Sequence, residues 1–321
     1  MIHQISGRNV NETFHEALWK LKVDGHIENS RNGRVITLTQ PALICNTQPM
    51  ERVMFCPERK ENPFFHFMEC LWMMAGSNEA DWIAEFNPRM AQYADGGTGQ
   101  FHGAYGYRWR HHFSVDQVLE TTALLKADPT TRRAVIDMWS PKDDLGTNAA
   151  DIPCNTQIYF RVVEGRLSMT VLNRSNDLVW GALGSNIVHF SFLQELIAHG
   201  AGLQVGTLWQ FTNNLHVYER HWKFVEQPPR CSSYRQQGVS PTPIISTKLS
   251  GWLRDCEKFI AKPEETSSLA DPFFATVAYP ILHSWKYKDP KYLELCAAKD
   301  WGLACTRYLE RLRAAEHTGL A

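Results

Sequence analysis

Residues 151–177 read DIPCNTQIYFRVVEGRLSMTVLNRSND. Apolar and polar residues alternate on both sides of Glu164-Gly165-Arg166, which predicts a β-hairpin that turns at this tripeptide. A thiol, Cys154, stands at the start of the hairpin, and a guanidinium, Arg174, stands at its end. These two side chains can share one pocket, where the arginine would favour the thiolate and could also hold a phosphate. The stretch therefore predicts nucleophilic attack on an anionic substrate.

The bulk composition narrows the class of protein. The chain has 321 residues, 44% hydrophobic and 21% charged, which is ordinary for a globular protein. Its formal net charge of -1 gives no basic surface of the kind that binds nucleic acid, although a few arginines could still hold a small anion. No apolar stretch is long enough to span a bilayer, and the N-terminus shows no signal region. These features predict a cytoplasmic protein without membrane or nucleic-acid partners.

Cysteine and histidine spacing argues against a metal site. The eight cysteines include no C-x-x-C pair, so we expect reduced thiols, most of them in the core. The histidines outside the motifs described below show no metal-ligand spacing, and we expect core or surface roles for them. They include His111, His112, His189 and His199.

Hydrophobic periodicity predicts an α+β fold with a central mixed sheet, one long buried helix and flanking helices. The predicted helices cover residues 10–24, 62–74, 115–127, 185–200 and 291–315. The predicted strands cover residues 35–39, 133–139, 157–162, 167–172 and 203–211. Residues 28–34 are expected to form a polar loop with a turn at Asn32-Gly33, and residues 140–150 a second polar loop. We place a catalytic core at residues 1–230 and a C-terminal extension at 231–321, which completes the core and ends in a helical segment.

Several motifs, in their order and approximate spacing, resemble the thymidylate synthase superfamily from about Arg31 to His221. They are Ala104-Tyr105-Gly106-Tyr107-Arg108-Trp109, Asp128-Pro129-Thr130-Thr131-Arg132-Arg133, Asp151-Ile152-Pro153-Cys154, Asn173-Arg174-Ser175-Asn176-Asp177 and Leu215-His216-Val217-Tyr218. The resemblance implies a thymidylate synthase-like fold and a homodimer formed across the sheet. The C-terminal part of the chain matches poorly.

The resemblance also implies a reaction between a pyrimidine nucleoside monophosphate and 5,10-methylenetetrahydrofolate. The cysteine thiolate adds to C6 of the pyrimidine, C5 attacks the one-carbon unit, and loss of the folate leaves an exocyclic methylene. Hydride from tetrahydrofolate then gives a methyl group, as in thymidylate synthase. Water instead gives a hydroxymethyl group, as in the deoxycytidylate and deoxyuridylate hydroxymethylases.

On this resemblance Cys154 is the nucleophile, although a single cysteine is more often a core residue. The matching phosphate-binding residues are Arg31, Arg132, Arg133, Arg174 and Ser175. Arg132 and Arg133 would reach the partner's substrate across a dimer interface, so the resemblance implies a homodimer with shared active sites. Arg34 lies close to Arg31 and leaves that assignment ambiguous by a few positions.

Three further residues match catalytic positions of the family. Glu69 lies in an otherwise apolar helix, where an unpaired carboxylate is costly, and it matches the glutamate that orders water and relays protons. Tyr105 matches a tyrosine near C5 that assists proton removal; the alternative is a buried tyrosine bound to a backbone carbonyl. Asp177 matches the aspartate that contacts the pterin of the folate.

The remaining matches concern the nucleoside. Asn186 matches the base-reading position, where an amide can bind uracil or can flip to suit another base. Cytosine-specific hydroxymethylases tend to carry aspartate there, so Asn186 favours dUMP. The segment Leu178 to Ser185 is one residue longer than in typical thymidylate synthases. His216 and Tyr218 match the pair that binds the sugar 3′-hydroxyl.

Three departures weaken a plain thymidylate synthase assignment. Asn155 replaces the usual histidine, and Met90 and Tyr93 stand where the synthases carry tryptophans that shield the folate, so Met90 becomes the candidate folate contact. Residues 316–321 do not resemble the short apolar tail that closes the synthase site. Each change would admit water, so we predict a dUMP hydroxymethylase. Thymidylate synthesis and dCMP or CMP hydroxymethylation are the alternatives. Such an enzyme would fit nucleotide supply for modified DNA, in the host cytoplasm if a phage encodes it.

Two other function classes compete with this one. A non-catalytic nucleotide-binding member would not need Cys154, Arg174, Tyr105 and Glu69 together. A nucleic-acid-binding protein would use aromatics beside arginines, as in residues 107–110, but the near-neutral charge of the chain argues against it.

Overall fold

A computed structural model describes residues 2–317, with side chains up to residue 315. The strands are β1 (His3–Gly7), β2 (Gly25–Ser30), β3 (Gly33–Leu38), β4 (Ala42–Asn46), β5 (Val135–Asp137), β6 (Asn155–Val163), β7 (Arg166–Asn173), β8 (Asn176–Asp177), β9 (Gln204–Thr212) and β10 (Leu215–Tyr218). The first α-helices are α1 (Val10–Asp24), α2 (Pro63–Met74), α3 (Ala80–Ala84), α4 (Tyr105–Tyr107), α5 (Gln117–Ala127), α6 (Pro141–Asp144) and α7 (Asn186–Ala201). The later ones are α8 (Trp222–Glu226), α9 (Tyr234–Gln237), α10 (Leu249–Ala261), α11 (Tyr279–Tyr287), α12 (Lys291–Glu294) and α13 (Lys299–His317). Short 3₁₀ turns cover Pro57–Arg59, Pro88–Tyr93, Glu219–His221 and Thr266–Ser268, and π-helical turns cover Arg108–His112, Leu178–Ser185 and Phe274–Ala278.

Two sheets organise the described part of the chain. The larger has six strands in the order β1-β4-β9-β7-β6-β5, and the smaller has four in the order β2-β3-β10-β8. β6 and β7 form the antiparallel hairpin that the sequence predicts. β7 pairs in parallel with β9, whereas β9 pairs antiparallel with β4, so the predicted mixed sheet is confirmed.

α7 packs on β7 and β9 of the larger sheet, and α2 packs against α7. Along β7, Leu167, Met169 and Val171 are buried while the residues between them are half-buried, as the period of a strand requires. Every residue of α2 is buried, which confirms the predicted buried helix. The helix begins after Asn62, whose side-chain oxygen accepts a hydrogen bond from the backbone N–H of Phe65 at 3.2 Å.

The C-terminal helices pack against the same core. The ring centroids of Phe67 in α2 and Trp301 in α13 lie 5.1 Å apart. The thiol of Cys256 in α10 donates to the carbonyl oxygen of Leu71 in α2 at 3.1 Å. α10 and α13 therefore pack against α2. The boundary at residue 230 remains a prediction.

Two polar segments differ from the predictions. Residues 28–34 are a hairpin rather than a loop, because β2 extends to Ser30 and β3 starts at Gly33, with the turn between them. Most of β2 is exposed on both faces, so its sequence lacks the alternation that marks a half-buried strand. In the loop after residue 139, Pro141–Asp144 form the short helix α6.

Two other boundaries need correction, and some elements were not predicted. The strand predicted at residues 133–139 is confined to Val135–Asp137. The helix predicted at residues 291–315 is divided into α12 and α13, and the backbone N–H of Ala297 in the break donates to Thr276 at 2.9 Å. α10 and the strands β1 and β4 were not predicted.

The eight cysteines all lie within the described residues and are free thiols, and all but Cys154 and Cys231 are buried. This confirms the expectation of reduced cysteines, most of them in the core. Across residues 2–317, no three His, Cys, Asp or Glu side chains are grouped so that they could hold a metal ion. Nor does that part of the chain contain a helix long and apolar enough to cross a membrane.

Candidate active site

Cys154 and Arg174 meet where β6 begins and β7 ends. The backbone N–H of Arg174 donates to the carbonyl oxygen of Cys154 at 2.9 Å. The guanidinium donates from Nε to Pro153 at 2.9 Å and from Nη2 to Ile152 at 3.1 Å, which leaves Nη2 3.9 Å from the Cys154 Sγ atom. The hairpin therefore brings the thiol and the exposed arginine into one pocket, and backbone carbonyls fix the arginine there.

The electrostatics at Cys154 combine opposing effects. Burial raises the pKa of the Cys154 thiol, Arg174 opposes this rise, Asp151 adds to it, and Arg31 opposes it. Arg174 thus lowers the thiol pKa, as expected, but burial has the larger effect and the net shift is upward. Burial also raises the pKa of Asp151, whose Oδ2 accepts a hydrogen bond from Gly103 at 3.0 Å. Sequence reasoning gave Asp151 no role, although it belongs to the cysteine motif.

Tyr105 lies beside Cys154. Burial raises the pKa of its phenol well above the ordinary value, the nearby Cys154 and Asp151 raise it further, and a hydrogen bond with the Cys154 backbone lowers it. The ring stacks on Phe190 of α7, with centroids 6.4 Å apart and planes at 14°. The phenol therefore stays protonated at neutral pH and is held next to the thiol.

Glu69 is paired with a histidine across the two buried helices. The His189 Nε2 atom lies 2.8 Å from Glu69 Oε2, and both side chains are buried. The Nδ1 atom of His189 has no hydrogen-bond partner among the described residues. Sequence reasoning gave His189 only a core or surface role, yet it lies one helical turn after Asn186, and that spacing was the available signal.

The smaller sheet carries Asp177, His216 and Tyr218. β8 and β10 pair in parallel with Asp177 opposite His216. Burial raises the pKa of Asp177 and lowers the pKa of His216. The attraction between the charged forms of the two side chains opposes both shifts. Asp177 Oδ1 accepts from the backbone N–H of Val179 at 3.0 Å, while Oδ2 lies 3.9 Å from Arg220. The His216 and Tyr218 rings meet edge to face at 5.0 Å.

The structure distinguishes the two arginines of the N-terminal hairpin. Arg34 is engaged, because its Nη1 atom lies 2.8 Å from Glu219 and its guanidinium packs over the ring of Trp222. Arg31 lies at the exposed turn, and its charge lowers the pKa of Cys154. Arg31 therefore remains the candidate phosphate ligand from this hairpin.

The other phosphate candidates are spread over two places. Ser175 is half-buried and directly follows Arg174 at the end of the hairpin. Arg132 and Arg133 are exposed just before β5, the edge strand of the larger sheet. Exposed arginines beside an edge strand are free to contact a second protein chain.

Asn186 opens α7 and belongs to a chain of buried amides. Its Nδ2 atom donates to Asn176 Oδ1 at 3.2 Å. Asn176 Nδ2 donates to Gln210 Oε1 at 3.5 Å, and Gln210 Nε2 donates to the carbonyl oxygen of Ala182 at 2.9 Å. Sequence reasoning missed Asn176 and Gln210, because their contact joins residues far apart in the chain.

The π-helical segment Leu178–Ser185 joins Asp177 to Asn186, and Leu183 and Gly184 interrupt it with non-helical backbone angles. Such a turn leaves carbonyl groups without their usual helical partners. Arg59 occupies two of them: its Nη1 atom donates to Leu183 at 2.7 Å, and its Nη2 atom donates to Val179. The wider turn thus ends with Asn186 buried at the start of α7.

A row of buried polar side chains starts beside Cys154 and crosses the inner face of the larger sheet. Asn155 is in register with Asn173, and Asn173 is in register with Thr212. Asn155 Nδ2 and Oδ1, Asn173 Oδ1 and Thr212 Oγ1 have no hydrogen-bond partner among the described residues. Buried polar atoms are rarely left unpaired, so this row is suited to bind water or a polar part of a substrate.

The candidate folate contacts are less enclosed. Met90 is half-buried in the turn Pro88–Tyr93, and Tyr93 is 45% exposed. Trp180 is 46% exposed, and its ring centroid lies 5.4 Å from that of Phe65 in α2. Sequence reasoning gave Trp180 no role. The tail from residue 316 lies outside the part of the chain whose side chains are described.

Comparison with known proteins identifies the family. The sequence profile of the family described as "Thymidylate synthase" matches residues 13–241. The chain belongs to the thymidylate synthase family. It is 40% identical to a deoxyuridylate hydroxymethyltransferase of Pseudomonas phage M6, over 97% of this chain and 95% of the relative. A second deoxyuridylate hydroxymethyltransferase, from Bacillus phage SP01, is 32% identical over 68% of this chain and 59% of its own length. Thymidylate synthase 1/2 of Encephalitozoon cuniculi is 34% identical over 43% of this chain and 51% of its own length.

Membership in the thymidylate synthase family makes the chain a one-carbon transferase and confirms the predicted fold class. The family profile ends at residue 241, before α10, whereas the similarity to the Pseudomonas phage protein covers 97% of the chain. The sequence similarity to that relative therefore extends beyond the family profile over most of the C-terminal region of this chain.

Proposed function

We propose that this protein is a deoxyuridylate hydroxymethylase, which transfers a one-carbon unit from 5,10-methylenetetrahydrofolate to C5 of dUMP and quenches it with water. The observation that carries the proposal is the 40% identity to a deoxyuridylate hydroxymethyltransferase over 97% of the chain. The Cys154 thiol with Arg174 Nη2 at 3.9 Å supplies the matching nucleophile. Thymidylate synthesis and dCMP or CMP hydroxymethylation remain the alternatives to be tested.

The nucleotide would be held by its phosphate. Arg174, Ser175 and Arg31 are the proposed ligands from the same chain, and His216 with Tyr218 would bind the sugar 3′-hydroxyl. Because guanidinium groups pair strongly with phosphate oxygens, the phosphate would place the pyrimidine C6 against Cys154. Burial raises the pKa of the Cys154 thiol, so the arginines that oppose this rise would support its reactivity as a nucleophile.

Water would complete the reaction on the inner face of the sheet. The unpartnered polar atoms of Asn155, Asn173 and Thr212 offer sites for ordered water next to the nucleophile. Glu69, held by His189, would take a proton as water adds to the exocyclic methylene. Tyr105 keeps its proton at neutral pH, so it would assist through its hydrogen bond rather than as a phenolate.

The one-carbon donor would bind beside the small sheet. 5,10-Methylenetetrahydrofolate is a co-substrate of this family and supplies the carbon. Asp177 would contact the pterin, and Met90 would pack against the folate. The exposed ring of Trp180, supported by Phe65, offers the kind of aromatic surface on which a flat heterocycle stacks.

We propose a homodimer formed across the outer face of the larger sheet. That face presents half-buried or exposed apolar side chains, which are Leu43, Tyr159, Val163, Leu172, Trp209 and Phe211. A contiguous apolar surface of this kind marks a protein interface. A cleft of about 620 Å³ on this side is lined by Asp137, Gln157 and Arg174. Arg132 and Arg133 of one protomer would enter the partner's site through it.

The biological setting follows from the product. Hydroxymethyl-dUMP would be a precursor for modified DNA, and hydroxymethylases of two phages are among the relatives. We therefore place the reaction in the host cytoplasm, on the premise that a phage encodes the chain.

Product analysis tests the proposal. Purified protein is incubated with methylenetetrahydrofolate and, separately, dUMP, dCMP, UMP or CMP, and the nucleotides are identified by mass spectrometry. We expect hydroxymethyl-dUMP from the wild type and from Cys231→Ser, a matched cysteine control, and none from Cys154→Ser. A methyl product with dihydrofolate would make the enzyme a divergent thymidylate synthase, and a product from dCMP alone would change the substrate.

A further inference from the structure

Asn186 ends a chain of three buried amides that is anchored on the backbone. Asn186, Asn176 and Gln210 are at most 6% exposed, and their hydrogen bonds end at the carbonyl oxygen of Ala182. Asn176 itself is fixed, because its backbone N–H donates to Asn214 at 2.9 Å. We call Asn176 and Gln210 the amide relay.

The backbone anchor sets the direction of every bond in the relay. The Ala182 carbonyl can only accept, so Gln210 must point its Nε2 atom there and its Oε1 atom towards Asn176. Asn176 then donates to Gln210 and presents Oδ1 to Asn186. Asn186 must therefore donate from Nδ2 to Asn176 Oδ1. If the Asn186 amide were inverted, its oxygen would face a second acceptor oxygen and the hydrogen bond would be lost.

The π-helical segment Leu178–Ser185 packs closely against the relay. A Cβ atom on Gly181 would lie 2.4 Å from Asn176 Oδ1, so the glycine is what lets this segment approach the relay. The carbonyl oxygen of the next residue, Ala182, accepts the hydrogen bond from Gln210. The segment before Asn186 therefore both contacts and anchors the relay.

We propose that Asn176 and Gln210 are positioning residues that fix the orientation of the Asn186 carboxamide and thereby make the enzyme select uracil over cytosine. The inference rests on the proposed function, in which Asn186 reads the base of dUMP. Uracil offers an oxygen at C4 and a proton at N3, and it needs an amide donor opposite C4. Cytosine has the reverse pattern and needs the amide inverted. A fixed amide therefore accepts one base and leaves unpaired polar groups with the other.

Two variants remove the relay without changing side-chain volume greatly. Gln210→Met removes the bond to Ala182, and Asn176→Leu removes the acceptor of Asn186. For each we measure kcat/KM and equilibrium binding of dUMP and dCMP. We expect the preference for dUMP to fall about 10- to 100-fold in both variants. Asn176→Asp still accepts from Asn186 in either protonation state, and it should keep the preference.

A control separates orientation from stability. Gln194 is another buried amide and donates to the Leu167 carbonyl at 2.8 Å, but it is not part of the relay. Gln194→Met should lower kcat/KM for dUMP and for dCMP by the same factor, so the ratio of the two values should stay unchanged. A ratio that stays at the wild-type value in Gln210→Met and Asn176→Leu would overturn the inference.

The outcomes also separate the inference from the proposed function. A wild-type enzyme that prefers dCMP would refute dUMP as the substrate, and with it uracil selection. A wild type that prefers dUMP, with relay variants that keep this preference, would refute the relay alone. Should one variant fail to fold, the other still decides, and dUMP binding shows which of them retain a native site.

Discussion

The Nε2 atom of His189 in α7 lies 2.8 Å from the Oε2 atom of Glu69 in α2, so a buried polar pair joins the two central helices at the candidate site. A carboxylate in such a position is costly without a partner, and His189 supplies it. The pair has two separable roles, because a hydrogen bond can be kept while proton transfer is lost.

Glu69→Gln should preserve the fold and abolish most of the activity. The amide oxygen can still accept from His189, so we expect the free energy of unfolding in urea to change by less than about 1 kcal/mol. The amide cannot take a proton, so turnover of dUMP should fall about 10²- to 10⁴-fold. His189→Leu is the comparison, and it should cost about 1–3 kcal/mol by leaving Glu69 unpaired. Wild-type turnover in Glu69→Gln would mean that the pair is only structural.

The pH dependence of thiol alkylation should report the charges around Cys154. Because burial raises the Cys154 pKa, iodoacetamide should react slowly at neutral pH and faster as the pH rises above the ordinary thiol range. Arg174 lowers this pKa, so Arg174→Gln should move the alkylation profile to higher pH. Asp151 raises it, so Asp151→Asn should move the profile to lower pH. Cys154→Ser gives the background from other thiols, and equal profiles in both charge variants would contradict the electrostatics described.

Asn155→His should shift the products towards methylation. An imidazole is larger than the amide and would displace water from the unpartnered polar row beside the nucleophile. We expect the ratio of methyl to hydroxymethyl product to rise about 10-fold or more, seen by mass spectrometry and by dihydrofolate formation. Asn155→Asp keeps the size and polarity and should still form mainly the hydroxymethyl product. An unchanged ratio in Asn155→His would show that water access is controlled elsewhere.

Mixing two inactive variants should restore activity if the sites are shared between protomers. Cys154→Ser lacks the nucleophile, and Arg132→Gln/Arg133→Gln lacks the arginines proposed to reach the partner. Random exchange makes about half of the dimers mixed, each with one intact site, so about a quarter of wild-type activity should return. Subunit exchange is verified with a tagged protomer. Verified exchange without activity would show that each chain supplies its own arginines.

Local patterns predicted the elements that hold the site. The hairpin β6–β7 shows the period of two that a strand with one buried face requires. The helices α2 and α7 are instead recognisable as long, mostly apolar runs, because nearly all of their residues are buried. β2 could not be predicted in this way, since it is exposed on both faces. The break before α13 depends on a backbone contact with Thr276, which is distant in the sequence.

In the candidate site too, some features could be predicted from local sequence and others could not. The meeting of Cys154 with Arg174 follows from a hairpin of known length and could be predicted. The sign of the Cys154 pKa shift could not, because it depends on how deeply the thiol is buried. The contact between Asn176 and Gln210 spans two sheets and has no local signature in the sequence.

The π-helical turn between Asp177 and Asn186 acts as a spacer between two recognition functions. Asp177 is proposed to bind the folate, and Asn186 is proposed to bind the nucleotide. The length of this segment therefore sets the distance between the residues that bind the two substrates. Arg59 donates to two carbonyl oxygens of this segment, so a side chain from a distant part of the sequence holds the segment in shape. Loss of Arg59 would therefore disturb the spacing between the two proposed substrates as well as the local fold.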